Sequence, residues 1–195
     1  MDFRVAALAG DGIGPEVISE GVKVLDKVAQ RFGHSFQIEY GTVGGIAIDQ
    51  CGIALPSETV ELCRKADAVL FGAVGGPKWD DPRAKVRPED AILGLRKTFG
   101  LFANLRPVQV FPALLEASPL RPSILDGVDL VVVRELTGGL YFGKPKKRWQ
   151  NTRGRHGVDT MAYSEKEIFR VVESAFELAR LRRKKVTSVD KANIL

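Results

Sequence analysis

The sequence predicts an α/β fold with a largely parallel sheet, and three observations lead there. Short apolar runs of strand length alternate with amphipathic stretches of helical period over the first hundred residues. Single glycines and prolines punctuate the joins, so each run is a separate element. A chain of 195 residues that is 45% hydrophobic and 27% charged can bury a core.

The elements follow in order. "FRVAALAG" opens the chain with a strand over residues 3–9. Ile18, Val22, Leu25 and Val28 recur at helical spacing and give a helix from Pro15 to about Arg31, with Gly14 as its cap and Pro15 at the first position, where a missing N–H costs nothing. A strand over 35–40, a helix over 57–66, a strand over 68–71 and a helix over 88–99 complete the alternation. After "FANLRPVQVFP" the texture changes, and a second lobe is expected to begin near Phe102, dividing the chain into 1–101 and 102–195. "GVDLVVVRELTGGLYFG" reads as a buried strand followed by a glycine-broken run, and residues 144–159 as a polar excursion. An amphipathic helix over 165–183, opened by a capping box of Ser164 and Glu167, leads to a strand over 186–189.

Composition excludes several classes of function. Asp2 and the break at Asp11 rule out a signal peptide, no apolar run approaches a membrane span, and the expected location is the cytoplasm. Cys51 and Cys63 lack C-x-x-C spacing and read as buried or half-buried free thiols. His34 and His156 are the only histidines, far apart, and read as surface residues, which argues against a histidine metal site or catalytic triad. The net charge is +5, with basic clusters at 144–149 and 180–185; the second fits the last turns of a helix, where cations oppose the negative dipole end. No helix-turn-helix, aromatic RNA-binding pattern or zinc finger accompanies the charge, so nucleic-acid binding ranks low.

Candidate chemistry gathers at strand ends and turns. "LAGDGIGPEV" places three glycines between a strand and a helix, a common anion-binding arrangement. Gly10 and Gly12 fit the first two positions of the dinucleotide fingerprint, but the third falls on Pro15, so a tight turn without a ligand is an equal reading. Arg96, Arg106 and Arg134 lie on three consecutive elements and could converge on one dicarboxylate through bidentate pairs, or each could be an ordinary salt-bridged residue. Tyr141 and Lys191 could move protons without histidine; taken singly, they read as a packed aromatic and a surface charge.

Five stretches, "GDGIGPEV", "GAVGGPKWD", "LRKTFGLFANLRPV", "VRELTGGLYFG" and "VTSVDKAN", resemble the motifs of the isocitrate/isopropylmalate family of β-decarboxylating dehydrogenases, in that family's order and spacing. The resemblance covers essentially the whole chain and implies a two-lobed α/β fold whose first lobe is discontinuous. It implies that Arg96, Arg106 and Arg134 grip the two carboxylates of a malate core. Tyr141 would donate a proton to the enolate carbon, and Lys191 would accept the proton of the C2 hydroxyl. Gly76, Pro77, Lys78, Trp79 and Glu89 would border the cofactor NAD, with Asn193 supporting that region and Ile13 lining the nicotinamide end.

The implied reaction is oxidative decarboxylation of 3-isopropylmalate to 4-methyl-2-oxopentanoate, in leucine biosynthesis, with Mg or Mn as Lewis acid. Ile92 and Leu93 would face the isopropyl group, where relatives acting on isocitrate offer polar side chains. An apolar pocket discriminates by only about 1–3 kcal/mol per methylene, so tartrate-, isocitrate- and homoisocitrate-type substrates remain alternatives. A non-catalytic anion-binding module is a further one. The resemblance also implies a homodimer, with an arm at about 141–163 crossing to the partner and Lys191 serving the neighbouring site. Family members continue past "DKAN"; the expectation is an N-terminal portion, inactive alone, whose metal-binding aspartates lie in the remainder.

Overall fold

A computed structural model describes residues 1–194, and the chain divides into two compact units, the first Met1–Thr98 and the second beginning at Phe99. The first contains β1 (Asp2–Gly10), α1 (Gly14–Phe32), β2 (Ser35–Gly41), α2 (Gly45–Cys51), α3 (Ser57–Lys65), β3 (Ala68–Ala73), a short 3-10 turn at Pro77–Trp79, and α4 (Asp90–Thr98). β1 lies between β2 and β3 and runs parallel to both, with Val5 level with Ile38 and Ala68, and Leu8 level with Gly41 and Phe71. Central and covered, β1 buries Val5, Ala6, Ala7 and Leu8 in succession, where an edge strand would alternate. α1 packs on β1 and β3, and its Ile18 is 3% exposed. The helix stops at Gly33, whose φ of 68° lets its N–H reach the Ala29 carbonyl.

Sequence reading anticipates these elements to within two residues at most ends, with two differences. Gly14 is the first helical residue of α1 and Ile13 the cap. α2 is an element that no sequence signal announced: it is seven residues long and follows Gly44 at φ 80°, too short for a helical period to show.

In the second unit, β4 (Ala103–Gln109) pairs antiparallel with β5 (Asp129–Glu135); between them lie a 3-10 segment at Pro112–Ala117 and the single-turn α5 (Pro122–Leu125). A 3-10 turn at Gly139–Tyr141 leads to the hairpin of β6 (Lys147–Asn151) and β7 (Gly154–Val158), and then to α6 (Glu165–Arg180). The capping box forms as expected, the Ser164 hydroxyl accepting from the Glu167 N–H while Glu167 accepts from the Ser164 N–H at 2.7 Å.

Several expectations are corrected here. β5 is half-exposed, alternating Val131 and Val133 inward with Leu130 and Val132 outward, because α6 covers one face of a two-stranded ladder. α6 ends at Arg180, so most of the second basic cluster lies beyond it: Arg182 donates to the Asp129 carboxylate at 2.6 Å and Arg183 donates to the Asp129 carbonyl. Residues 186–189 form no strand, since no neighbouring strand among the described residues offers them a ladder; Val189 is 93% exposed. The polar excursion is the β6–β7 hairpin, with the Trp149 and His156 rings stacked across it at 5.2 Å.

Cys51 is exposed, whereas Cys63 is buried and burial raises its thiol pKa. His34 and His156 are both half-buried against aromatic rings, not simple surface residues. Among the described residues no helix is long and apolar enough to cross a membrane.

Candidate functional site

The β1–α1 turn carries its own anion. Asp11 is 4% exposed, and its carboxylate accepts from the N–H groups of Gly45 at 2.7 Å, Ile46 at 2.8 Å and Gly75 at 2.8 Å. Two of these donors open α2, whose first N–H groups favour a negative charge. The glycines of the turn serve close packing instead: a Cβ on Gly14 would strike the Ala9 carbonyl, and one on Gly10, at φ 72°, would strike that of Ala73. Ile13 stands exposed at this corner.

Beyond β3 the chain walls a cleft of about 410 Å³ lined by Gly75, Gly76, Pro77, Trp79, Pro88 and Glu89, among others. Four of the expected cofactor residues, Gly76, Pro77, Trp79 and Glu89, therefore meet at one concavity. Lys78 turns to Asp49 instead, its Nζ 2.6 Å from the carboxylate and 5.2 Å from the centre of the Trp79 ring. Trp79 donates its Nε1–H to the same carboxylate at 3.2 Å. The hydrogen bond from Lys78, helped by that from Trp79, holds Asp49 below the usual carboxylate range despite opposing desolvation. The Trp79 ring lies against Gly45, where any Cβ would enter it.

On α4 the buried Ala91 and Leu95 anchor one face. Ile92, Leu93 and Arg96 sit half-buried at i, i+1 and i+4, so Ile92 and Arg96 are neighbours along one stripe, with Leu93 beside them.

In the second unit the β4–β5 register brings Arg106 and Arg134 to the same exposed face. Arg106 stands opposite Val132 and Asn104 opposite Arg134, so the two arginines occupy diagonal positions. Arg106 donates from Nε to the Asn104 side-chain oxygen at 2.5 Å. Arg134 donates to the Tyr141 hydroxyl at 3.5 Å, its Cζ 5.7 Å from the centre of that ring.

The next residue, Glu135, points the other way because strand side chains alternate. Its carboxylate accepts from the Thr137 N–H and the Gly138 N–H, each at 2.8 Å, from the Thr137 hydroxyl at 2.5 Å, and from Arg170 of α6 at 3.2 Å. Burial pushes its pKa up, but these donors outweigh it and leave it lowered. "RELTGG" thus divides its work, Arg134 outward to the site and Glu135 inward to hold the turn that presents Tyr141.

Lys191 and Asn193 lie exposed near the turn after Asp190, and among the described residues no hydrogen bond or ion pair joins the Lys191 ammonium to Tyr141. Sequence reading missed Asp11, Asp49, Asn104 and Glu135. An acid flanked by glycines just before a helix could have flagged Asp11; Asp49 meets partners 29 and 30 residues away, and no local pattern encodes that. Among the described residues no group of three or more His, Cys, Asp or Glu is placed to hold a metal ion.

A family model described as isocitrate/isopropylmalate dehydrogenase matches residues 4–195. The 3-isopropylmalate dehydrogenase of Anaeromyxobacter dehalogenans is 59% identical over 195 residues, covering 100% of this chain and 55% of its own. That of Dehalococcoides mccartyi is 56% identical over 196 residues, covering 100% of this chain and 54% of its own. Among solved structures, a β-decarboxylating dehydrogenase of Thermococcus kodakarensis gives a TM-score of 0.67 at 36% identity, over 99% of this chain and 50% of that one. An isocitrate dehydrogenase of Methylococcus capsulatus gives 0.74 at 26% identity, over 94% and 49%. The chain spans about half the length of the curated relatives it matches.

Proposed function

The chain belongs to the isocitrate/isopropylmalate dehydrogenase family, and on that premise we propose that it serves the NAD-dependent oxidative decarboxylation of 3-isopropylmalate to 4-methyl-2-oxopentanoate, in leucine biosynthesis, as part of a cytoplasmic homodimer. The observation that carries the reading is the shared face of β4–β5, where Arg106, Arg134 and Tyr141 come together. Two guanidinium groups at diagonal positions suit the two carboxylates of a malate core, each held as a bidentate pair. By the family resemblance alone, Arg96 would be a third cation for the carboxylates, and Ile92 and Leu93 an apolar surface for the isopropyl group.

The cleft of the first unit suits the nicotinamide ribose. Backbone at Gly75 and Gly76 permits close approach, and the exposed Glu89 carboxylate can accept hydrogen bonds from sugar hydroxyls. Pro77 and Trp79 wall that cleft, Lys78 between them holds Asp49, and Ile13 stands exposed at the β1–α1 corner; by the family resemblance alone, Asn193 would support the cofactor. NAD, when bound, supplies the hydride acceptor. As hydride leaves C2, Lys191, in this reading serving the partner's site, takes the hydroxyl proton. Loss of the 3-carboxylate as carbon dioxide leaves its bonding electrons in an enolate, and Tyr141 protonates the enolate carbon. Arg134 donates to the Tyr141 hydroxyl and so fixes its place on this face. Mg or Mn belongs to the same reading; among the described residues no group of three or more His, Cys, Asp or Glu is placed to hold it.

To test this, the chain is joined to the C-terminal half of a curated relative and NADH formation is followed with Mn and 3-isopropylmalate, isocitrate or tartrate. Turnover with 3-isopropylmalate is expected; a preference for isocitrate or tartrate overturns the substrate assignment. Tyr141→Phe should lower kcat about 100-fold or more, and an unchanged kcat removes Tyr141 from proton transfer.

A further inference from the structure

The cleft wall is fastened at both ends to a single short helix, and neither fastening group lines the cleft. At the start of the wall, the Gly75 N–H donates to Asp11, whose carboxylate is at the same time bonded to the N–H groups of Gly45 and Ile46 that open α2. At its end, Lys78 and Trp79 donate to Asp49, which lies within α2 two residues before its close. Between these points lie Gly76 and Pro77, which face the cleft. Gly75 has φ 101° and Gly76 has no side chain to restrict it, so this backbone has much freedom to lose when a ligand orders it.

We propose that Asp11 and Asp49 are positioning residues for the cofactor cleft: through α2 they hold the 75–79 loop in its binding conformation before the cofactor arrives. The inference rests on the reading of that cleft as the nicotinamide site. Their contribution is preorganisation, since a loop already ordered costs less to fix on binding. Asp49 separates this role from general stability. Its pair with Lys78 is exposed on both sides, and such pairs contribute little to the folded state, so Asp49→Asn should disturb the loop and leave the fold intact. Asp11 is buried, and Asp11→Asn is informative only where the protein still folds.

The test reads the loop first. In the 195-residue chain carrying Trp149→Phe, Trp79 is the only tryptophan. Asp49→Asn and Asp49→Ala should red-shift Trp79 emission and raise its quenching by acrylamide, with far-UV circular dichroism and Tm unchanged; Asp49→Glu should restore part of the effect. Lys23→Met, which breaks an exposed ion pair on α1 away from the loop, should change neither.

In the enzyme completed with a relative's C-terminal half, Asp49→Asn should raise KM for NAD about tenfold, with kcat and KM for 3-isopropylmalate within twofold of the parent. Unshifted Trp79 emission, an unchanged KM for NAD, or an equal loss in kcat and both KM values overturns the proposal. If the completed parent forms no NADH from any of the diacids, the proposed function fails by itself. Trp79 emission in the Asp49 variants then still decides whether the loop is held as described.

Discussion

The two units of this chain hold themselves together by different means. In the first, a parallel strand with neighbours on both sides carries an unbroken buried run, and Ile18, Val43, Ala47, Ala91 and Leu95 close the core around it. In the second, the only buried apolar residues among those described are Leu136 and Ala179. Its ladders are antiparallel pairs, and Leu130, Val132, Ile168, Val172 and Phe176 stay exposed. What orders it is a polar network, Glu135 joining β5, the Thr137–Gly138 turn and Arg170 of α6. Arg106 and Arg134 stand on the face that packing leaves uncovered.

The sharpest way to break this comparison is in the apolar core. Leu8 is 0% exposed, and Leu8→Ala should destabilise the first unit by about 2–5 kcal/mol. Leu130→Ala, on the open face of β5, should cost less than about 1 kcal/mol. Urea denaturation followed by hydrogen exchange on β1 and β5 separates the two, and equal costs would erase the distinction.

Next in size is the polar network. Arg170→Ala leaves a nearly buried Glu135 carboxylate without its cation while three donors remain, so about 2–3 kcal/mol is expected. The pH dependence has a definite sign. The pKa of Glu135 is lowered in the folded protein, so its contribution is complete above the unfolded value of about 4.3 and is lost as pH falls through the folded value. Acid titration of the second unit by near-UV circular dichroism should show that loss, and Glu135→Gln should flatten it. The smallest effect is expected in the β6–β7 hairpin, where Trp149→Ala removes a cross-strand stack worth about 0.2–1 kcal/mol. A larger cost would mean that the hairpin is packed against something beyond its own strands.

Much of the first unit was legible in the sequence because its signals are local. An apolar run of strand length, a 3.6-residue stripe and a proline at the first helical position are each written within ten to twenty residues. The second unit was harder to read. "LVVVR" looks like a buried strand, yet half of it faces outward, because burial depends on what lies across the ladder and not on the strand itself. The strand expected at 186–189 likewise does not form among the described residues, since a strand exists only with a partner to receive its hydrogen bonds.

The same division runs through the site. Sequence alone determined the fold class, the main helices, the capping box at Ser164 and, through five motifs in register, the family. Tertiary structure decided that Asp11 of the glycine turn is held by the N–H groups of Gly45, Ile46 and Gly75, that Arg106 and Arg134 share a face, that Glu135 braces the turn bearing Tyr141, and that Asp49 reaches Lys78 and Trp79. Each of these is a contact between groups distant along the chain or turned by strand alternation, and its energy exists only once folding has brought them within hydrogen-bonding distance.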